Sequence, residues 1–256
     1  MTSEIILIGL GQLGRIFAGG LLRTGHTLIP VNRQDNLAAI AAAHPNPLMV
    51  LVAVAENDLH PVLSALPAGW RDRAALLQNE LLPRDWEQHK LLNPTVISVW
   101  FEKKKGTDAK ALLPSPAFGP RATTLVKALQ AIELPAVELP DNDALLYELV
   151  RKNLYILTTN IAGMRVGGNV AQLWQDHRAL ALQIAHEILD IQAWLTLWEL
   201  PREQLIAGLQ EAIQADPAHQ CMGRSAPARL ARALKLADEA RLAVPALRQL
   251  AKENSL

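Results

Sequence analysis

The strongest constraint on this chain is a hexapeptide close to its start. Gly9-Leu10-Gly11-Gln12-Leu13-Gly14 follows the apolar run Ile5-Ile6-Leu7-Ile8 and opens a stretch with helical spacing. Glycine at the first, third and sixth places between a strand and a helix meets three separate needs. Gly9 permits a tight turn, Gly11 lets a pyrophosphate approach the backbone, and Gly14 lets the helix pack closely on the strand. Leu10, Gln12 and Leu13 complete the loop, and the helix N-terminus behind it offers N–H donors to an anion. The hexapeptide predicts a dinucleotide-binding turn at the head of a Rossmann-type domain.

The residues that follow keep to that pattern. Short apolar runs at 26–31, 48–54, 74–78 and 95–101 alternate with helical spacing at 12–24, 36–43 and 58–66. Such alternation marks βαβ units on a parallel sheet, and a continuous apolar run such as 48–54 suits a strand covered on both faces. Two further short strands are expected at 111–114 and 136–139, flanking a helix at 121–132. After Pro140 the pattern changes. Asp141-Asn142-Asp143 is a helix-start signal, and apolar residues then recur at three-to-four spacing from 177 to 200. Further helices are expected at 202–214, 227–241 and 245–252. The fold class is therefore α/β: an N-terminal Rossmann domain with a parallel sheet, residues 1–140, followed by an all-helical C-terminal domain, residues 141–256.

Charge and cysteine usage narrow the partners. Lys and Arg number 25 and Asp and Glu 25, a formal net charge of zero, so no global field gathers nucleic acid or an anionic membrane. No apolar run reaches membrane-spanning length without charges. The lone Cys221 rules out an intramolecular disulfide and suits a reducing, cytoplasmic setting. A small-molecule substrate is the partner these features leave, with neither nucleic acid nor membrane expected.

The end of the second strand separates two cofactors. A carboxylate there would take the ribose 2′-hydroxyl of NADH. This chain carries Asn32-Arg33 instead, and a guanidinium makes charge-assisted bonds to a 2′-phosphate. The expected cofactor is NADPH.

Other segments point the same way. Leu51-Val52-Ala53-Val54 ends the third strand, Leu77-Gln78-Asn79 follows the fourth, and Glu148-Leu149-Val150-Arg151-Lys152 precedes Asn160 on one helical stretch. Taken in order with the glycine loop, with Glu187 and with Ala243-Val244-Pro245, these resemble the ketopantoate reductase family, among the 6-phosphogluconate dehydrogenase-like two-domain reductases. The resemblance implies reduction of a 2-keto acid or similar small carbonyl compound with NADPH. It implies that Ala53 and Val54 border the cofactor and that Asn79 lies near the nicotinamide. It makes Lys152 the group that polarises or protonates the keto oxygen, and Asn160 a donor to the substrate. Lys152 and Asn160 are eight residues apart, so a straight helix sets them on roughly one face. The chain also departs from the family's pattern. Ala55 stands where a second lysine is usual, Ile156 replaces an asparagine, and Glu80 replaces a glycine. The segment Gln220–Pro227 lacks the substrate-binding glutamate, with Ser225 the nearest positional match. A second reading therefore stays open, a catalytically silent NADPH-binding or regulatory protein of the same fold.

His186, Glu187 and Asp190 share a helix but lack the second histidine of a zinc motif, so no metal is expected. Lys103-Lys104-Lys105 reads as a solvated hairpin turn. Trp194 and Trp198, one helical turn apart, suit core packing or a homodimer. Arg224 is a candidate to take a substrate carboxylate.

Overall fold

The computed structural model describes residues 3–103, 106 and 108–255. They form two compact units, Met1–Leu149 and Val150–Leu256. Lys104 and Lys105 of the expected lysine turn lie outside the described residues.

The first unit runs β1 (Glu4–Ile8), α1 (Gln12–Arg23), β2 (Thr27–Val31), α2 (Leu37–Ala43), β3 (Met49–Val52), α3 (Leu59–Ala65), β4 (Ala74–Leu76), α4 (Pro83–Glu87), β5 (Thr95–Ile97), β6 (Phe101–Glu102), β7 (Lys110–Ala111), β8 (Ser115–Phe118), α5 (Ala122–Gln130) and β9 (Ala136–Glu138). Seven of the strands make one sheet in the order β2-β1-β3-β4-β5-β8-β9. Neighbours run parallel throughout except β5 and β8. The parallel register sets Ile8 beside both Val31 and Val52, so the carboxyl ends of β1, β2 and β3 share one edge. There the chain passes from β1 to β2 on one side and returns through β3 on the other, the place where open α/β sheets take ligands. Residues 5–7 and 49–52 are wholly buried, as strands covered on both faces must be. Pro30 is tolerated because β2 is an edge strand.

Where this unit departs from the expected elements, the cause is a partner distant in sequence. The run 95–101 is two short strands rather than one. After Ile97 the chain bends, and the backbone N–H of Trp100 bonds to Ser115 Oγ at 2.9 Å. Phe101–Glu102 then pairs with Lys110–Ala111 in a separate two-stranded ribbon. The strand expected at 111–114 instead enters the main sheet as Ser115–Phe118, against β5. Pro116 is tolerated there because its carbonyl alone is used, accepting from the Ser98 N–H at 2.9 Å.

The second part begins with α6 (Asn142–Val166), followed by α7 (Val170–Asp176), α8 (Arg178–Thr196), α9 (Arg202–Ala215), α10 (Ala226–Glu239) and α11 (Pro245–Glu253). Asp141 starts α6 by accepting the Ala144 N–H at 2.8 Å. Helix α8 ends at Thr196, not near 200, because Leu197 takes a left-handed φ of 53°. Trp198 therefore lies beyond the helix that carries Trp194. Glu187, buried on α8, accepts the N–H groups of Ala246 at 2.8 Å and Leu247 at 2.9 Å. It thereby caps the start of α11, where Pro245 has no N–H to offer. Asp190 pairs with Arg202 at 2.6 Å, so Glu187 serves a helix start and Asp190 an ion pair. No helix of the described residues is long and apolar enough to cross a membrane.

Candidate functional site

The glycine loop has the shape its sequence requires. Gly9 takes φ +97°, and a Cβ there would lie 2.7 Å from Ala53 O. A Cβ on Gly14 would lie 2.2 Å from Gly9 O, so α1 meets the turn backbone to backbone. Around Gly11 nothing lies within 4 Å of a Cβ position, and the residue is exposed. Gly11 is the N-cap of α1, and no side chain caps the N–H groups of its first turn. The loop thus holds itself shut on the sheet side through Gly9 and Gly14 and stays open on the side a ligand would approach.

That open side faces a cleft of ≈ 620 Å³ bounded by Gly9, Leu10 and Gly11, by Asn32 and Arg33, and by Ala53 and Val54. Gln12 and Leu13, in the first turn of α1, do not border it, and Gly14 is buried beneath it. Asn32 donates to Asp35 through its backbone at 2.6 Å and its side chain at 3.3 Å, which folds the turn after β2. Arg33 Nη2 bonds Asp58 Oδ2 at 2.7 Å across the cleft. The Arg33 side chain is 87 % exposed, so this ion pair contributes at most about 1 kcal/mol and yields to a stronger anion.

Gln78 is buried and fastens two strand ends. Its Nε2 donates to Val52 O at 2.7 Å and to Val54 O at 3.3 Å. Asn79 donates from Nδ2 to Glu56 Oε1 at 3.0 Å and stands outside the residues that border the cleft. Glu80 has a left-handed φ of 60°. It adopts the conformation that glycine takes most easily, at a cost of about 1 kcal/mol.

The second unit holds the other candidate residues. Lys152 and Asn160 both lie on α6. The Lys152 ammonium, half-buried among its neighbours, is pushed down to about 7 by desolvation first and by the Arg229 guanidinium second. Asn160 is buried and donates from Nδ2 to Cys221 O at 3.0 Å. Its Oδ1 accepts from Arg229 Nη1 at 2.6 Å. Because a guanidinium only donates, this bond settles which end of the carboxamide faces which neighbour. Gly163, one turn along α6, would place a Cβ 2.7 Å from that of Cys221, so glycine is what lets the Cys221 segment reach Asn160. Burial raises the Cys221 thiol to about 11, which makes it a poor nucleophile. Arg224 is exposed; the buried cation is Arg229.

Arg229, Asp58 and Glu56 are absent from the sequence-based expectations, and Gln78 enters them only as part of the turn after the fourth strand. Arg229 carries a signal that could have found it. The buried face of α10 is Ala226, Arg229, Leu230, Ala233 and Ala237, so a charge falls within an apolar stripe. Glu187 stands in the same way among Ile184, Ala185, Ile188 and Ile191 on α8. Asp58 and Glu56 meet their partners only across the fold, more than twenty residues away.

No protein-family model matches the sequence, and no curated protein matches it. Solved structures do match along nearly the whole chain. The 2-dehydropantoate 2-reductase from Methylococcus capsulatus is 15% identical, with 98% of this chain and 96% of that chain covered and a TM-score of 0.69. A dimeric ketopantoate reductase from Staphylococcus aureus is 16% identical, with 96% of each chain covered and a TM-score of 0.66. A D-mandelate dehydrogenase, in a ternary structure with NADH and anilino(oxo)acetate, is 14% identical, with 97% of this chain and 96% of that chain covered and a TM-score of 0.67. A parallel-dominated α/β unit followed by helices, matched over this length, is the fold of the ketopantoate reductases.

Proposed function

We propose that the chain is an NADPH-dependent reductase of a small 2-keto acid, acting in the cytoplasm as a homodimer. The observation that carries this reading is Lys152, lowered to about 7 on the same helix as Asn160, in a chain whose first unit holds an open glycine loop. Solved structures with a similar fold are named for reducing 2-dehydropantoate and for dehydrogenating D-mandelate, and one is described as dimeric.

The glycine loop fits a dinucleotide, because it is open where a pyrophosphate would rest and tight where the loop must hold its own shape. Gly9, Leu10, Gly11, Gln12, Leu13 and Gly14 would hold the pyrophosphate, Asn32 and Arg33 the 2′-phosphate end, and Ala53 and Val54 the wall beside it. Asn79 would stand near the nicotinamide. Bound there, NADPH would supply the hydride.

Lys152 supplies the proton. A carbonyl that accepts a hydride gathers charge on oxygen, and a nearby ammonium both stabilises that charge and donates a proton to it. A pKa of about 7 suits the task at neutral pH, since the acid is then present and gives up its proton readily. Asn160, fixed by Arg229 and Cys221 O, orients the substrate from the same helix. On this reading the chemistry of the substrate belongs to residues from 141 on, and the dinucleotide to residues 1–140.

The test is NADPH oxidation by purified protein with ketopantoate and a panel of 2-keto acids. Lys152→Ala should lower kcat by about 10²-fold or more while the Kd for NADPH stays unchanged. Undiminished turnover in that variant would refute the assignment, and tight NADPH binding without turnover on any keto acid would favour a cofactor-binding regulator.

A further inference from the structure

Two histidines of the first unit have no part in the proposed reaction. His60 lies on α3 and His89 follows α4, 29 residues later, so no spacing in the sequence announces them as a pair. His60 Nδ1 and His89 Nε2 face each other at 3.0 Å. The outer nitrogen of each ring has a partner of its own. His60 Nε2 lies 3.9 Å from Asp85 Oδ1, and His89 Nδ1 lies 3.3 Å from Ser64 Oγ. His60 and Ser64 stand four residues apart on α3, which sets both on one face.

The backbones that carry these groups are anchored. Leu59 and Leu63 of α3 and Trp86 of α4 are buried, and the His89 N–H returns to Trp86 O at 3.1 Å. Asp85 is fixed as well, since its Oδ2 accepts the Leu82 N–H at 2.8 Å.

We propose that His60 Nδ1 and His89 Nε2 form a site for one divalent transition-metal ion of the zinc class, with Asp85 and Ser64 orienting the two rings. The inference goes beyond the reductase reading and does not rest on it. Without a metal, one N–H must lie between the facing nitrogens. A hydroxyl accepts as well as donates, so the His89 proton can move to Nδ1 and keep Ser64 as its partner. Two lone pairs then face each other. Tetrahedral zinc, with Zn–N bonds of about 2.0–2.1 Å, sets two nitrogens about 3.3 Å apart. The rings need part by only about 0.3 Å to admit it. An outer N–H aimed at a carboxylate or hydroxyl is also what fixes the tautomer of a metal-bound histidine.

The surroundings suit a cation. Burial first, then His60 and Arg71, lower the pKa of His89, so its ring is in the neutral form that binds metal. Burial raises the Asp85 carboxyl, with Glu80 adding to the rise, while the Leu82 N–H, His60 and Arg84 oppose it. A dication nearby acts with the opposing groups and favours the carboxylate. The His60 side chain is 48% exposed, so the ion arrives from solvent and waters complete its coordination. Imidazole donors select zinc, nickel or copper over magnesium and calcium, which prefer oxygen. Bound there, the ion ties α3 to the turn after α4.

Zn²⁺ titrated into the metal-free full chain by calorimetry tests the site. Wild-type protein should bind one Zn²⁺ at its tightest site, and His60→Gln or His89→Gln should each weaken that site about 100-fold or more. Ser64→Ala should weaken it about tenfold, and Ser64→Thr, which keeps the hydroxyl, should restore it. Mg²⁺ in excess should not compete. With free Zn²⁺ at about 100 times its Kd, the Tm of wild type should rise by about 5 °C or more, and that of His60→Gln should not. Wild-type protein that binds no Zn²⁺, an unchanged isotherm in the His60→Gln/His89→Gln double variant, or Mg²⁺ competing on equal terms overturns the inference.

Discussion

Gly19 and Gly20 are neighbours in the middle of α1, and the same substitution should move stability in opposite directions at the two. At Gly20 a Cβ would lie 2.1 Å from Ala128 O and 2.7 Å from Ala128 C, both backbone atoms of α5. Ordinary van der Waals contact begins near 3.4 Å, so α1 and α5 must part by more than about 1 Å. Phe17 and Leu21 on α1 and Leu125 and Leu129 on α5 are buried in the same core and would lose close packing. Overpacking of this kind costs about 1–3 kcal/mol. The gain of about 1 kcal/mol from replacing a helical glycine by alanine only partly offsets it. At Gly19 nothing lies within 4 Å of the Cβ, so the same helical gain stands alone. Gly20→Ala should therefore lower the midpoint of urea unfolding and the Tm by several degrees, and Gly19→Ala should raise both, at about 2–4 °C per kcal/mol. Because α1 begins at the glycine loop, Gly20→Ala should also weaken NADPH binding, though the residue is remote from the cleft. Two variants of equal stability would refute the backbone contact between α1 and α5.

The other expectations concern charge. Asp58→Asn frees Arg33 and should tighten NADPH binding about threefold or more, while Arg33→Ala weakens it about 10–100-fold, the range for a charged hydrogen bond; NADH should change little, and equal effects on the two cofactors would remove Arg33 from the 2′-phosphate. The acid form of Lys152 is lost above about 7, so kcat/KM should fall about tenfold for each further pH unit, and a flat profile from pH 7 to 9 would exclude it as the proton donor. Lys152 is also a stability probe, because its folded pKa is depressed from 10.5 to about 7. Below 7 both states are protonated and the buried charge weighs fully against folding; between 7 and 10.5 the unfolded chain binds the proton alone, and wild-type stability rises with pH. Lys152→Met should thus be more stable than wild type at pH 7, by about a few kcal/mol, with the gap closing toward pH 10; parallel curves would contradict this. Glu187→Ala leaves the N–H groups of Ala246 and Leu247 without their carboxylate and should cost about 3 kcal/mol, measured by chemical unfolding; a loss below about 1 kcal/mol would show that α11 does not depend on that cap.

Local chemistry decided how much could be read ahead of the structure. The elements written in contiguous patterns are found at nearly their expected places: β1 through β4, the helices between them, and α9 and α11. Misplaced elements are those whose pairing is set by a distant partner. The run 95–101 reads as one apolar strand, yet the Ser115 hydroxyl takes the Trp100 N–H and the chain turns away from the sheet. Ser115–Phe118 contains a proline and reads poorly as a strand, yet between β5 and β9 it has partners on both sides. Glu80 shows the same limit in reverse, since a left-handed φ that invites glycine is held here by a glutamate.

By itself the sequence determined the α/β-then-helical order, the glycine turn and its sharp division of labour among Gly9, Gly11 and Gly14. These depend on periodicity and on steric freedom within a few residues, both written locally. The family resemblance carried by its short matches also pointed to Lys152 and Asn160. Only the tertiary structure decided what surrounds them. A pKa depends on the dielectric and charges within a few ångströms; here burial lowers Lys152 first and Arg229, 77 residues beyond it on another helix, lowers it second. In the same way Arg33 was legible as a cation after β2, while its partner Asp58 became visible only when the end of β3 was folded beside it. Spacing along the chain specifies the elements; the distances between charges, which set the chemistry, exist only once the elements are packed.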